Sequence, residues 1–192
     1  MTLLTGADGR TRCAWPGEIL DYVAYHDDEW GVPVRGEQEL FERLTLEAFQ
    51  SGLSWLTILR KRPAFRAAFA GFDPEAVAGF TAADRDRLLA DTGIVRNRAK
   101  VDAAIRNAGA VLALRAHGGL DALVWSHAPV SHRPPHPGEP LAATTPASVA
   151  LAKALKAHGF VFVGPTTAYA AMQACGLVDD HVVGCFRSGP TT

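Results

Sequence analysis

The sequence predicts an all-α fold, and three observations carry that reading. Apolar residues recur with a 3.6-residue period along most of the chain, helix start and stop signals fall in step with those stripes, and alternating strand-like runs are nearly absent. No internal repeat is present.

Taken in order, residues 1–11 are polar-mixed and read as a flexible tail before a single domain over residues 12–187, with residues 188–192 as a second tail. Trp15 to Pro33 is aromatic-rich and broken by Pro16, Gly17, Gly31 and Pro33, an irregular wrap holding one short helix. Glu37 to Gln50 is helical, with Leu40, Phe41, Leu44 and Ala48 on one face, and Trp55 to Phe69 follows with Ile58, Leu59, Phe65 and Phe69. Asp73-Pro74 is an N-cap followed by proline at the first helical position, and Thr81 with Asp84 forms a capping box. Gly93 is expected to end that helix in a left-handed conformation. An alanine-rich helix then carries Val101, Ile105, Ala108 and Leu112. Pro129 to Pro140 reads as a long solvated loop, in which Pro134 and Pro135 forbid a helical pairing of His132 with His136. Thr145-Pro146 opens a helix ended by Gly159, Phe160–Val163 is a buried extended link, and a last helix spans Thr166 to Cys175.

At 192 residues and 48% hydrophobic, the chain can form one domain or two small lobes around a shared core. No apolar run reaches the roughly 20 residues of a membrane span, and the first residues lack a signal-peptide core, so a soluble cytoplasmic protein is expected. A formal charge of −1 argues against a protein that coats nucleic acid, while leaving room for a local phosphate-binding patch. Three cysteines are too few and too scattered for a disulfide framework.

Cys13 and His26 lie early, and His181 and Cys185 lie late, the latter pair spaced to share a face of a helical turn. Together they offer a Cys2His2 set suited to tetrahedral zinc, with no coordination position left open for catalysis. On spacing alone, two packed cysteines and two hydrogen-bonded histidines account for these residues equally well. Cys175 sits among apolar neighbours and reads as core.

Glu47 follows Leu44 by three positions and Leu40 by seven, which puts a carboxylate on an apolar stripe. With Trp55, Tyr25 and Trp15 nearby in sequence or pattern, it could face a flat cationic ligand. Helical phase alone favours instead a rim glutamate paired with Arg43 or Lys61. Further on, the turn Thr92–Arg98 joins two helices and carries Arg96, Arg98 and Lys100 beside a helix N-terminus, a candidate phosphate clamp. A second basic cluster is Arg60, Lys61 and Arg62. Taken alone, a solvated turn with surface arginines is the better account of the first.

Five segments carry a resemblance: Cys13-Ala14-Trp15; Tyr22 to Pro33, reading YVAYHDDEWGVP; Leu46-Glu47 with Gln50 to Trp55; Gly93 to Arg98; and Met172 to Cys185, reading MQACGLVDDHVVGC. In this order they resemble the 3-methyladenine DNA glycosylase I family from about Arg12 to Phe186. The resemblance implies a helix-hairpin-helix glycosylase fold and one structural zinc on Cys13, His26, His181 and Cys185. It implies that Glu47 recognises the alkylated base between Trp55 and Tyr25, with Trp15 and Tyr22 as further pocket residues. It implies that Gly52 and Leu53 fill the gap left by the flipped nucleotide. The expected partner is alkylated double-stranded DNA, engaged by a monomer, with base release but no strand cleavage. A catalytic aspartate at Asp121 is not expected. Two other classes stay in view: a damage-sensing DNA-binding protein without turnover, and a zinc-dependent hydrolase of small substrates.

Overall fold

The computed structural model describes residues 1–189, so the expected C-terminal tail is described only at Ser188 and Gly189, and residues 190–192 lie outside the described residues. Among the described residues the fold is nine α-helices and one two-stranded hairpin.

The hairpin corrects the expectation of a flexible tail. Strand β1 (Leu3–Thr5) pairs antiparallel with β2 (Thr11–Cys13), Leu3 opposite Cys13. Asp8-Gly9 makes the turn, with Gly9 at φ +77° as a tight hairpin turn requires. Arg12 fastens it, donating to Asp8 and to Asp27 on helix α1 (Leu20–Asp28). Strands of three residues leave no readable alternation, but they hold Cys13 in place.

Helix α2 (Glu37–Gln50) is the central element, packed against α3 (Trp55–Ala68), α6 (Arg98–Leu114), α7 (Gly119–Trp125) and α9 (Pro165–Ala174). Surrounded on several sides, it buries Leu40, Phe41, Leu46 and Phe49 almost completely, and also Glu42, Thr45 and Glu47. Its start is pinned from α7: Asp121 accepts from Gly36 N and pairs with Arg35.

Local punctuation holds well elsewhere. Asp73 caps α4 (Pro74–Ala78), and Thr81 with Asp84 closes a capping box on α5 (Ala82–Ala90). Thr145 and Ser148 do the same for α8 (Pro146–Ala157), which ends at Gly159 with φ +89°. Gly93 is a correction. Helix α5 stops at Ala90, and Gly93 is not left-handed; a Cβ there would lie 3.0 Å from the Ala64 methyl and 2.9 Å from Asp91 Oδ1. On α6 the buried stripe is Val101, Ala104, Ala108 and Val111, while Ile105 and Leu112 are half-buried. In the link after α8, Phe160 and Val163 are buried, whereas Phe162 is exposed at φ +59°. The Asn107 amide bonds both Val161 N and Val161 O, as a neighbouring strand would.

The proline-rich loop is largely exposed, as expected, but it is also docked at a few points. His132 bonds the buried Asp180, Val183 N donates to Pro135 O, and Gly138 N donates to Met1 O. Pro135 is buried accordingly. Finally, the segment after α9 runs hard against residues 31–34. Val34 N donates to Cys175 O at 3.0 Å, and a Cβ on Gly176 would sit 2.7 Å from Gly31 O. This crossing brings the C-terminal segment onto the N-terminal one. Among the described residues no helix is long and apolar enough to cross a membrane.

Candidate functional site

A cavity of about 290 Å³ opens beside α1, α2, the start of α3, and α9. Its walls are aromatic: Trp15, Tyr22, Tyr25, Trp30 and Trp55. Tyr22 packs edge-on to Trp15 with centroids 4.7 Å apart, and Tyr25 lies 5.4 Å from Trp55. Glu47 is the sole acidic residue among the lining side chains, and no lysine, arginine or histidine is among them.

Glu47 reaches this cavity because α2 is enclosed by its neighbours. Neither of the salt bridges suggested by helical phase forms. Arg43 pairs with Glu29, and Lys61 donates to the carbonyls of Thr92 and Gly93. Among the described residues the Glu47 carboxyl has no hydrogen bond or ion pair. Burial pushes its pKa up to about 8, with Arg43, one turn earlier, pulling the other way. Desolvation also pushes the Tyr25 hydroxyl well above its usual value, so the phenol stays protonated. A buried unpaired carboxyl between π-faces favours a flat ligand with positive charge and N–H donors.

Several lining residues carry no role in the sequence reading. Gln50 sits one turn beyond Glu47 on α2, a spacing that could have flagged it. Gln173, Leu141 and Met1 have no local signal, because distant folding brings them there. The Gln173 amide is held by Asp180, which also accepts from Tyr169.

Directly behind Trp15 and Trp30 lies the second cluster. Ligand atoms of Cys13, His26 and Cys185 fall within 4.8 Å of one another. The two thiols lie against each other, so their proximity pulls the Cys185 pKa down while that of Cys13 is pushed up. The His181 ring stands 5.0 Å from that of His26, and its Nε2 is buried without a partner. Both histidines have Nδ1 fixed by a carboxylate, His26 by Asp27 and His181 by Asp179. The opposite nitrogen of His26, Nε2, lies 3.5 Å from Cys185 Sγ, and a carboxylate on Nδ1 is the usual arrangement behind metal-bound imidazoles. These donors suit a small tetrahedral cation.

The turn Ser51–Ser54 between α2 and α3 is exposed, with Gly52 at φ +82° and Leu53 42% exposed despite its apolar side chain. Nearby, the α5–α6 hairpin presents Arg96 and Arg98, both exposed and free of ion pairs among the described residues. Lys100 departs from the expectation of a phosphate contact. It is 7% exposed, and its ammonium donates to Phe49 O at 2.8 Å and Ser51 O at 2.6 Å. Arg60, Lys61 and Arg62 are likewise engaged, Arg60 with Asp21 and Arg62 with Glu29.

The helical scaffold carries an exposed apolar turn and an aromatic pocket around one buried carboxyl, an arrangement suited to a flat cationic ligand. The sequence profile of the methyladenine glycosylase family matches residues 15–188, and the chain belongs to that family. DNA-3-methyladenine glycosylase 1 of Escherichia coli is 48% identical over 180 residues, 91% of this chain and 95% of that protein. A crystal structure of a 3-methyladenine DNA glycosylase I is 47% identical with a TM-score of 0.88, spanning 93% of this chain and 100% of that one. Another solved relative, a variant in complex with 3-methyladenine, is 34% identical with a TM-score of 0.87, over 94% of this chain and 99% of its own.

Proposed function

We propose that this chain excises 3-methyladenine from alkylated double-stranded DNA, acting as a monomer that flips the damaged nucleotide into the Glu47 pocket. The carrying observation is the buried, unpartnered carboxyl of Glu47 in an aromatic cavity lined by no basic side chain. Its relatives' names support the same lesion.

Methylation at N3 leaves adenine positively charged and weakens its bond to the sugar. In the reaction the N9–C1′ bond breaks, its electron pair moves into the ring, and the charge disappears. Water supplies the hydroxyl at C1′ and releases a proton to solvent. The protein therefore has to extrude, select and desolvate the nucleotide. Glu47 accepts hydrogen bonds from the cationic base, which in turn favours its ionised form. Tyr25 and Trp55 hold the electron-poor ring on their faces, and Trp15 and Tyr22 complete the wall. Gly52 and Leu53 enter the space vacated in the duplex, while Arg96 and Arg98 meet phosphates. No lysine lines the pocket, in keeping with base release without strand cleavage.

We infer further that Cys13, His26, His181 and Cys185 hold one zinc ion. Four protein ligands leave it no open position, so when bound it supplies a crosslink between the two ends of the domain.

The test is base release from methylated duplex DNA, with each freed purine resolved, for wild type and Glu47→Gln. Selective release of 3-methyladenine, lost in the variant, is expected. Tight duplex binding without release by folded protein would favour the damage-sensing class instead.

A further inference from the structure

Two lysines cross between the hairpin and the turn that carries Leu53. Lys61, in the second turn of the helix α3 that follows that turn, donates to Thr92 O at 2.9 Å and Gly93 O at 3.3 Å in the hairpin. Lys100, in the first turn of hairpin helix α6, donates back to Phe49 O and Ser51 O at the end of α2. Lys61 thus ties α3 to the hairpin and Lys100 ties the hairpin to the end of α2, each ammonium satisfying two main-chain carbonyls. Phe49 and Ser51 lie at the α2 C-terminus, where orphan carbonyls and the helix dipole both favour a cation. The Lys100 backbone N–H in turn is capped by Asn97 within the hairpin, so the anchor itself is fixed.

Flexible lysines on a DNA-facing surface usually reach for phosphate. Here both charges are turned inward onto backbone, which leaves Arg96 and Arg98 to face outward. We propose that Lys61 and Lys100 form a reciprocal clasp, making the phosphate-facing hairpin and the Ser51–Ser54 turn one rigid unit. Phosphate engagement then fixes where Leu53 enters the duplex. Both are positioning residues, since neither lines the pocket. The proposal rests on the excision reading above and adds how the wedge is aimed.

The experiment compares wild type, Lys61→Met, Lys100→Met and Lys100→Arg in three assays. These are release of 3-methyladenine from methylated duplex, binding of free 3-methyladenine by tryptophan fluorescence, and thermal melting. The clasp predicts at least a tenfold fall in kcat for Lys100→Met and a several-fold fall for Lys61→Met. Free-base affinity should stay within twofold of wild type, and Lys100→Arg should recover part of the lost kcat. Adding Leu53→Ala to either Met variant should cost little more than the single change, since both act on the same event. Wild-type kcat in both Met variants overturns the clasp. So does loss of free-base affinity in step with kcat, which would mean a merely structural role. If Lys100→Met does not fold, Lys61→Met, altered at a more exposed site, decides by the same criteria. A wild-type protein that binds free base yet releases none from DNA would instead sink the excision reading.

Discussion

The ring of Trp30 stands edge-on to that of His181, centroids 4.6 Å apart, so one wall of the pocket is braced on a histidine that lies beside the Cys13–His26–Cys185 cluster. Trp15 makes a similar contact with His26 at 5.3 Å. The cluster and the pocket therefore share a wall, and events at one should be felt at the other. Purified protein is expected to contain one equivalent of zinc by atomic absorption. Cys185→Ala should lose the metal, melt roughly 10 °C lower, and bind free 3-methyladenine more weakly well below its melting point. A variant that melts like wild type and keeps its ligand affinity would contradict this.

Glu47 should impose a pH dependence on stability. Its native pKa is pushed up to about 8, whereas in the unfolded chain the carboxyl titrates near the ordinary 4.5. Below pH 4.5 both states hold the proton, and Glu47 contributes nothing to pH dependence. Between 4.5 and 8 the native state binds more protons than the unfolded state, so stability falls as pH rises. Glu47→Gln removes that loss. Denaturant unfolding should show the variant gaining on wild type from pH 5 to pH 8, by up to about 3.5 kcal/mol. A constant difference across that range would mean the carboxyl is ionised throughout.

Gly176→Ala should be severely destabilising. The residue has φ +72°, and an added Cβ would meet Gly31 O and Pro33 N at 2.7 Å, both rigid backbone atoms. Left-handed strain and the forced separation of the two segments together cost about 3 kcal/mol or more. Chemical denaturation measures it; a change under 1 kcal/mol would mean that the crossing can open.

Leu53 and Leu46 should separate activity from stability. Leu53→Ala removes an exposed side chain, so unfolding should change by no more than about 0.5 kcal/mol, while base release drops tenfold or more. Leu46→Ala, at a fully buried position, should cost about 2–5 kcal/mol. Equal effects of the two on base release per folded molecule would argue against the wedge role of Leu53.

What could be read from the sequence was what local chemistry determines. The capping box at Thr81 and the proline starts at Pro74 and Pro146 lie where local hydrogen bonds and geometry put them. Glu47 stood out because its phase conflicted with its polarity, and the fold resolves the conflict by burying it unpaired. What escaped depended on distant partners. Lys100 looked like surface charge, yet its acceptors are Phe49 and Ser51, about fifty positions earlier. His132 looked solvated, but Asp180 receives it. The hairpin at Leu3–Cys13 was missed because three-residue strands carry no periodicity.

The meeting of Cys13 and His26 with Cys185 has a temporal side. These contacts span about 160 to 170 positions, among the longest-range in the chain, and such closures come late because their loop entropy is greatest. During synthesis the helices around α2 can pack first. The tryptophan wall gains its backing only when residue 185 has left the ribosome. A chain that ends short of Cys185 thus lacks the backing of its tryptophan wall.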